Sequence, residues 1–307
     1  MAAEPTPALA ASAEWTRAAE RGSLPLIRFM AWMSLYLGRP FTRILLRIIA
    51  AYFFVFGGAS GRAVRGYLRR CLAREPTAAE RYGVYFAFAS TLHDRIYFIK
   101  DRFDLFEIEA HGSELFDDGA GALLLGAHHG SFEAMRACGR GLAGRRVVMA
   151  MYEENARQIN GVLAAIDPSA LSGIVPLGRV DSMLSLGELL DEGALVGVLA
   201  DRTLGNEAAI AVRFLGEEAW FPTGPMRMAA ALRRKVYFMA GLYRGGNRYE
   251  IRFEPLADFN ALEGMPRAER DARVRAAVEA YAGRLEHYVR SAPSNWFNFF
   301  DFWKPRA

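Results

Sequence analysis

The chain contains little cysteine and no recognisable metal-binding pattern. Its only cysteines are Cys71 and Cys138, which do not form a CxxC pair and indicate no disulfide framework. The five histidines include one adjacent pair but no HExxH sequence and no His/Cys cluster. We therefore expect no structural metal site, and we expect the chain to occupy a reducing compartment.

Lysine is also scarce. There are three, Lys100, Lys235 and Lys304, so arginine supplies nearly all the positive charge behind a net charge of +4. Arginine matches phosphate and carboxylate groups with two parallel hydrogen bonds, although a GC-rich genome would also enrich it. The modest basic surplus fits an anionic membrane surface or an acidic carrier protein, and demands neither. We expect no nucleic-acid partner.

Several catalytic signatures are missing. The chain has no Walker sequence and no GxSxG nucleophile elbow, which argues against a P-loop nucleotide site and against an esterase. The glycines at 141 and 144 are too close together and misplaced for a dinucleotide loop. We expect no cofactor.

The first hundred residues predict a helical region that associates with a membrane. Residues 1–22 have no signal-peptide pattern and indicate a flexible polar arm. Two apolar stretches follow, at 24–37 and 44–59, and the second would form a helix of roughly 24 Å, shorter than a membrane span and interrupted by Arg47. Basic residues flank it on both sides: Arg39 and Arg43 before it, and Arg62, Arg65, Arg69 and Arg70 after it.

We interpret these stretches as a helical hairpin that lies in the membrane interface, with its arginines reaching toward lipid phosphates. The alternative is a pair of buried core helices. On this basis the chain divides into the arm at 1–22, a helical membrane-associated region at 23–100, and a core at 101–307 that forms one structural unit with the preceding helices.

The remainder alternates between strand-like and helix-like segments. Strands are predicted at EIEAHG and at 121–128, 145–152, 173–178, 194–201 and 209–216, and a hairpin is predicted around Gly245–Asn247. Helices are predicted within 61–100 and at 132–142, 154–166, 181–191, 224–234 and 267–290. This alternation predicts an α/β fold with a mixed, mostly parallel sheet flanked by helices.

Ligands of open α/β sheets bind at the carboxyl ends of strands. Two strand ends carry most of the reactive side chains: His128-His129-Gly130-Ser131 and Asp201-Arg202-Thr203. Glu133 follows in the first turn of the next predicted helix, where it can return to the imidazole of His128. A carboxylate on one ring nitrogen fixes the tautomer and leaves the other nitrogen to take a proton. Alternatively, Glu133 only complements the helix dipole and Gly130-Ser131 is a simple turn and cap.

The sequence resembles the lysophospholipid acyltransferase superfamily. Ala127–Glu133 resembles its His-x4-Asp/Glu block. The block is most similar to that of the lipid A biosynthesis acyltransferase branch, which follows roughly the pattern His-x-Gly-x-aromatic-Glu. The further blocks that agree with that branch, in order, are Tyr152–Asn155, Ile174–Gly178, Gly197–Arg202, Arg213–Gly216, Phe221–Pro225, Asn295–Phe297 and Phe302-Trp303.

The resemblance implies an O-acyltransferase. Such enzymes move a fatty acyl chain from an acyl-carrier-protein or coenzyme A thioester to a hydroxyl of a lipid or glycolipid, at the cytoplasmic face of a bacterial inner membrane. It implies that His128 is the general base and that Glu133 orients it. The expected substrate-binding residues are His129, Gly130, Ser131, Asp201, Arg202 and Arg213.

Two departures from the resembled family stand out. His129 places a second imidazole beside the catalytic one, either for a direct role or for packing or a backbone hydrogen bond. The Glu-Gly-Thr-Arg block of glycerophosphate enzymes is absent, and Ala200-Asp201-Arg202-Thr203 stands there instead, which argues against a simple lysophosphatidic acid acceptor. A rival interpretation of the whole chain is a non-catalytic, membrane-bound protein that binds a lipid or an acyl carrier.

Overall fold

The structure is a computed structural model, and it describes residues 24–135, 145–152, 174–177, 180–203 and 207–304. The predicted arm at 1–22 and the predicted helix at 154–166 lie outside these residues. So does most of the predicted helix at 132–142, of which 132–135 are described and helical. The three-part division of the chain stays a prediction.

Nine strands are described, and seven of them form one sheet. They are β1 Glu107–His111, β2 Ala122–Gly126, β3 Val147–Tyr152, β4 Ile174–Leu177, β5 Leu195–Leu199, β6 Ala209–Phe214, β7 Glu217–Pro222, β8 Lys235–Tyr243 and β9 Arg248–Asp258. The sheet has the order β1-β9-β8-β2-β5-β3-β4. Every neighbouring pair is parallel except the β8–β9 hairpin. The predicted mixed, mostly parallel α/β fold is confirmed.

Seven helices are described over their full length, besides the short helical stretch at 132–135. They are α1 Leu24–Leu37, α2 Arg39–Phe56, α3 Ala59–Leu72, α4 Ala78–Ile99, α5 Val180–Asp191, α6 Gly224–Ala231 and α7 Arg267–Ser291. The start of α4 is set by a capping box, in which Thr77 Oγ1 accepts from the Glu80 N–H and the Glu80 carboxylate accepts from the Thr77 N–H. The region 61–100, predicted to be helical, therefore contains two helices, separated at 73–77.

The central strand β2 is apolar and buried at every position, because both faces of the sheet are covered. Leu123 and Leu125 belong to a core that also contains Tyr281 of α7, whereas Leu124 on the opposite face belongs to a second core with Tyr97 of α4. Successive side chains of a strand point to opposite faces, so a strand buried on both sides reads as a continuous apolar run.

The hairpin of β6 and β7 forms a second, two-stranded sheet that the sequence predicted only in part. β6 was predicted, but β7 was not, because Glu217, Glu218 and Pro222 are weak strand formers. The two residues between the strands, Leu215 and Gly216, have φ of 52° and 90°. A two-residue hairpin turn of this hand requires such positive values.

The aromatic C-terminal tail belongs to the core. Trp296 is fully buried, and its ring contacts those of Tyr67, Phe214 and Phe302 with centroid distances of 5.0, 5.5 and 4.9 Å. Because these rings come from α3, β6 and the tail itself, the end of the chain ties the helical region to the sheet.

Helix α2 is attached to the core through a buried ion pair. Arg39 donates to both oxygens of Asp94, from Nε at 2.7 Å and from Nη2 at 2.8 Å, and the Tyr249 hydroxyl donates to Asp94 at 2.7 Å. Arg43 donates to the hydroxyl of Tyr243. These two arginines therefore point into the protein, and the expectation that they reach toward lipid phosphates is wrong.

The opposite side of α1 and α2 is apolar and exposed. We call it the apolar face, and its residues are Phe29, Trp32, Leu35, Tyr36, Leu37, Phe41, Ile44, Ile48, Tyr52, Phe53, Val55 and Phe56. The alternative of two buried core helices does not fit this exposure. Among the described helices, none is by itself long and apolar enough to cross a membrane; α2 and α3 meet that criterion only jointly, across a bend of 92°.

Replacing Asp94 by asparagine should destabilise the fold by about 3–5 kcal/mol, because it leaves the buried guanidinium of Arg39 without its counter-charge. Burial raises the pKa of Asp94, but the close approach of His93 Nδ1 at 3.5 Å and the hydrogen bonds from Arg39 and Tyr249 outweigh it and keep the carboxylate ionised. Denaturant unfolding measures the loss. Glu75→Gln, which breaks the exposed Arg65–Glu75 pair, is the control, and an equal loss in both variants would contradict the assignment.

Candidate active site

The site forms where β2 and β5 end side by side. The parallel register pairs Gly126 with Leu199, and the Ala200 N–H donates to the Gly126 carbonyl at 2.9 Å. Two residues beyond each strand, the chain presents His128 and Asp201. Sequence reasoning identified both strand ends, and the register brings them together.

His128 and Asp201 are joined by two hydrogen bonds. His128 Nδ1 lies 2.8 Å from Asp201 Oδ1, and the His128 backbone N–H donates to Oδ2 at 3.1 Å. The indole N–H of Trp296 donates to the same Oδ2 at 3.1 Å. Asp201 is only 1% exposed, so these protein donors take the place of water around its charge.

The electrostatics of this pair fix the tautomer of His128. Burial raises the pKa of Asp201, but its interactions with His128, Arg202 and Trp296 outweigh burial and hold that pKa well below its usual range. An ionised carboxylate only accepts hydrogen bonds, so Nδ1 carries the proton and Nε2 carries the lone pair. The partial burial of the ring and the charge of Arg202 lower the pKa of His128 against the opposing influence of Asp201. The imidazole is therefore neutral and basic near pH 7.

Glu133 lies in the same region but contacts a different residue. Its Oε1 is 2.6 Å from Nε of Arg95, which belongs to α4. The structure thus differs from the expected arrangement, because the carboxylate on Nδ1 of His128 is Asp201 and the described partner of Glu133 is Arg95. Asp201 was expected to face substrate and lies instead behind the imidazole. The catalytic roles of these residues stay predictions.

The turn after β2 is held by backbone contacts. Gly130 has φ of 71°, and a Cβ there would lie 1.8 Å from the Gly241 carbonyl oxygen, so only glycine fits. Ser131 is 2% exposed, and its Oγ accepts from the Ala134 N–H at 3.1 Å. Ser131 is thus the N-cap of the helix that begins at 132, which agrees with the turn-and-cap alternative.

His129 is buried next to His128 in the chain, with 3% exposure. Burial lowers its pKa to about 4, although the Asp201 carboxylate opposes the fall. Its ring is therefore neutral and enclosed by protein, which favours the packing alternative over a direct contact with substrate.

Two arginines were expected at the site. Arg202 follows Asp201 directly, donates from Nη2 to the Phe297 carbonyl at 2.8 Å, and lies over the Phe300 ring at 5.4 Å. Arg213 is exposed on β6, opposite Glu218. Among the described residues, the hydrogen bonds around His128 and Asp201 do not reach Arg213.

Sequence reasoning missed two contributors. Trp296 was noted as part of an aromatic block, and nothing in the sequence showed that its N–H reaches Asp201. Arg95 follows Asp94 directly in the sequence, but the two do not pair with each other: Asp94 pairs with Arg39, and Arg95 pairs with Glu133. In the part of the chain that the structure describes, no group of three or more His, Cys, Asp or Glu side chains could hold a metal ion.

His129 should make the fold sensitive to acid. Its folded pKa of about 4 lies below the unfolded value near 6.5, so the unfolded chain binds more protons between these values and stability falls as the pH falls through that window. Across this window the folded state should lose about 3 kcal/mol of stability through His129, at about 1.4 kcal/mol for each unit of pKa difference. We expect His129→Leu to flatten the stability–pH curve between pH 4 and 6.5, as measured by denaturant unfolding.

The exposed His287 provides the matched control for this experiment. His287→Gln should leave the slope unchanged. A His129→Leu curve that is parallel to that of the unaltered protein would contradict a buried neutral imidazole.

Comparison with known proteins places the chain in a family. A family model described as bacterial lipid A biosynthesis acyltransferase matches residues 17–305. No curated protein matches significantly. Among solved structures, the 1-acyl-sn-glycerophosphate (LPA) acyltransferase PlsC from Thermotoga maritima is similar at 16% identity and a TM-score of 0.37, over 80% of this chain and 97% of that one. The family match spans nearly the whole chain, and the chain belongs to the bacterial lipid A biosynthesis acyltransferase family of lipid acyltransferases.

Proposed function

We propose that the protein transfers a fatty acyl chain from an acyl-carrier-protein or coenzyme A thioester to a hydroxyl of a membrane lipid or glycolipid, with His128 as general base held by Asp201. The observation that carries this proposal is the His128–Asp201 pair at the end of β2. The carboxylate is 1% exposed while the imidazole keeps 34% of its surface exposed. A buried orienting group behind a partly exposed base is the arrangement that proton transfer to a bound substrate needs.

The reaction follows from the tautomer. Nε2 of His128 takes the proton from the acceptor hydroxyl as its oxygen attacks the thioester carbonyl carbon. The tetrahedral intermediate then collapses, the carbon–sulfur bond breaks, and the leaving thiolate takes the proton back from His128. An ester and a thiol result, and no covalent acyl-enzyme forms. The Asp201 carboxylate stabilises the imidazolium that exists between the two proton transfers.

Two substitutions test this mechanism. His128→Ala should lower kcat by roughly 10²–10⁴-fold, because the base is lost. Asp201→Asn should cause a loss of similar size, because an amide no longer fixes the proton on Nδ1. Because Asp201 raises the pKa of His128, the acid limb of the kcat/KM profile should also move to lower pH in Asp201→Asn. Acyl transfer from a thioester to a lipid extract is the measurement.

Melting temperatures of both variants distinguish lost chemistry from lost folding. Full turnover in folded His128→Ala would refute the mechanism. Tight binding of acyl carrier protein without transfer to any lipid would favour the non-catalytic alternative.

We also propose that the apolar face lies on the cytoplasmic surface of the bacterial inner membrane. Twelve exposed large apolar side chains on two adjacent helices form a surface of the kind that interfacial helices bury in lipid. Helix α2 contacts Tyr243 at the carboxyl end of β8 through Arg43, and the turn after His128 bonds to Gly241 of the same strand. Docking of α2 would therefore bring lipid to the end of the sheet where His128 lies.

Vesicle co-sedimentation tests this surface. Ile44→Glu with Ile48→Glu should weaken binding to phosphatidylethanolamine/phosphatidylglycerol vesicles at least tenfold, because two apolar contacts are lost and two charges face lipid. Leu184→Glu is the control, since Leu184 is 67% exposed on α5, similar to Ile48 at 64%. Equal effects of the two sets of substitutions would overturn the proposal.

A further inference from the structure

We propose that Arg95 is the cation that stabilises the oxyanion of acyl transfer, and that Glu133 is a positioning residue that holds Arg95 beside His128. This inference rests on the proposed function and adds to it a source of charge stabilisation. It also gives Glu133 a role other than contact with the imidazole.

The backbone of the turn does not supply the charge stabilisation that the intermediate needs. Acyl transfer converts a carbonyl oxygen into an anion, and enzymes commonly meet it with N–H groups aimed into the site. The four consecutive N–H groups after Ala127 already donate within the protein: His128 to Asp201, His129 to the Ala127 carbonyl, Gly130 to the Asn295 carbonyl and Ser131 to the Gly241 carbonyl. The candidates for stabilising the oxyanion are therefore the cationic side chains near His128.

Two guanidinium groups lie close enough to His128 to lower its pKa, those of Arg202 and Arg95. Arg202 is engaged with the tail, through the Phe297 carbonyl and the Phe300 ring. Arg95 belongs to helix α4, and its side chain remains 23% exposed. Of the two, Arg95 is the one that a carboxylate, that of Glu133, holds in place while part of its side chain stays exposed.

The contact with Glu133 suits a positioning role. It joins Nε of Arg95 to Oε1 at 2.6 Å, but without the alignment of a hydrogen bond. A guanidinium carries five N–H groups, and Nε holds one of them. The pair therefore restrains the arm of Arg95 while the four N–H groups on its two terminal nitrogens are the donors suited to an oxygen of substrate.

The step is the attack already described. As the acceptor oxygen bonds to the carbonyl carbon, the carbonyl π electrons move onto oxygen, and Arg95 donates to that oxygen without giving up a proton. When the carbonyl re-forms, the electrons return, the carbon–sulfur bond breaks, and the thiolate receives its proton from His128. Arg95 is unchanged at the end.

Arg95→Gln is the decisive variant. It should lower kcat by roughly 10²–10³-fold while KM for donor and acceptor changes less than about threefold, because the oxyanion exists only in the transition state and intermediate. Arg95→Lys should restore part of the loss.

Arg95→Gln should also raise the pKa of His128, because it removes the positive charge of Arg95. The acid limb of the kcat/KM profile should therefore move to higher pH, opposite to its movement in Asp201→Asn. The exposed Arg102, paired with Asp104, is the control as Arg102→Gln.

Glu133→Gln tests the positioning role. It should lower kcat about tenfold and leave little further loss in the Arg95→Gln/Glu133→Gln double variant, because Glu133 acts through Arg95. Multiplicative losses in the double variant would overturn the positioning role. So would an acid limb in Glu133→Gln that moves as in Asp201→Asn, because Glu133 would then act on the imidazole.

The two levels of the proposal fail differently. Full activity of folded His128→Ala overturns the proposed function. An inactive His128→Ala together with a fully active Arg95→Gln, or with an Arg95→Gln that raises KM at unchanged kcat, overturns only the inference about Arg95.

Discussion

The buried carboxylate of Asp201 is the constraint on which the rest of the site depends. A charge with 1% exposure is costly unless donors surround it. The donors come from two places: the His128 backbone and ring at the end of β2, and the Trp296 indole in the C-terminal tail. Satisfying one carboxylate therefore fixes the ends of two central strands and the path of the tail together, and it makes a rigid support for the imidazole.

The same constraint extends outward to the helices. Trp296 packs against Tyr67 of α3, and the neighbouring Asn295 accepts from the Tyr243 N–H and receives the Gly130 N–H at its carbonyl. Tyr243 in turn accepts from Arg43 of α2. A continuous set of contacts thus runs from the turn that carries His128 to the helix that carries the apolar face. In physical terms, the proposed lipid surface and the proposed chemistry belong to one packed unit.

The sequence predicted the layers well because periodicity and strand-end chemistry are local signals. β2 and β5 read as apolar runs, and His128 and Asp201 followed them directly. The partner of His128 was predicted wrongly, since closeness along the chain favoured Glu133, whereas the parallel register that aligns Gly126 with Leu199 brings in Asp201. Long-range pairing of this kind has no local signature. Arg39 shows the same limit, because nothing near it in sequence reveals Asp94, 55 positions away.

The two carboxylates near His128 differ in what surrounds them, and this difference separates their roles. Asp201 has neutral donors and the imidazole, whereas Glu133 faces the cation of Arg95. The charges of Arg202, Asp201 and Arg95 act on the neutral imidazole, and Glu133 is paired with Arg95, so these two positive and two negative side chains sum to zero. During acyl transfer an imidazolium and an oxyanion appear together, so the sum stays at zero while charge separates. A frame of fixed opposite charges stabilises such a separation without reorganising, because Asp201 already lies beside the new cation. In the proposed mechanism, Arg95 lies beside the new oxyanion and stabilises it, as Asp201 stabilises the imidazolium.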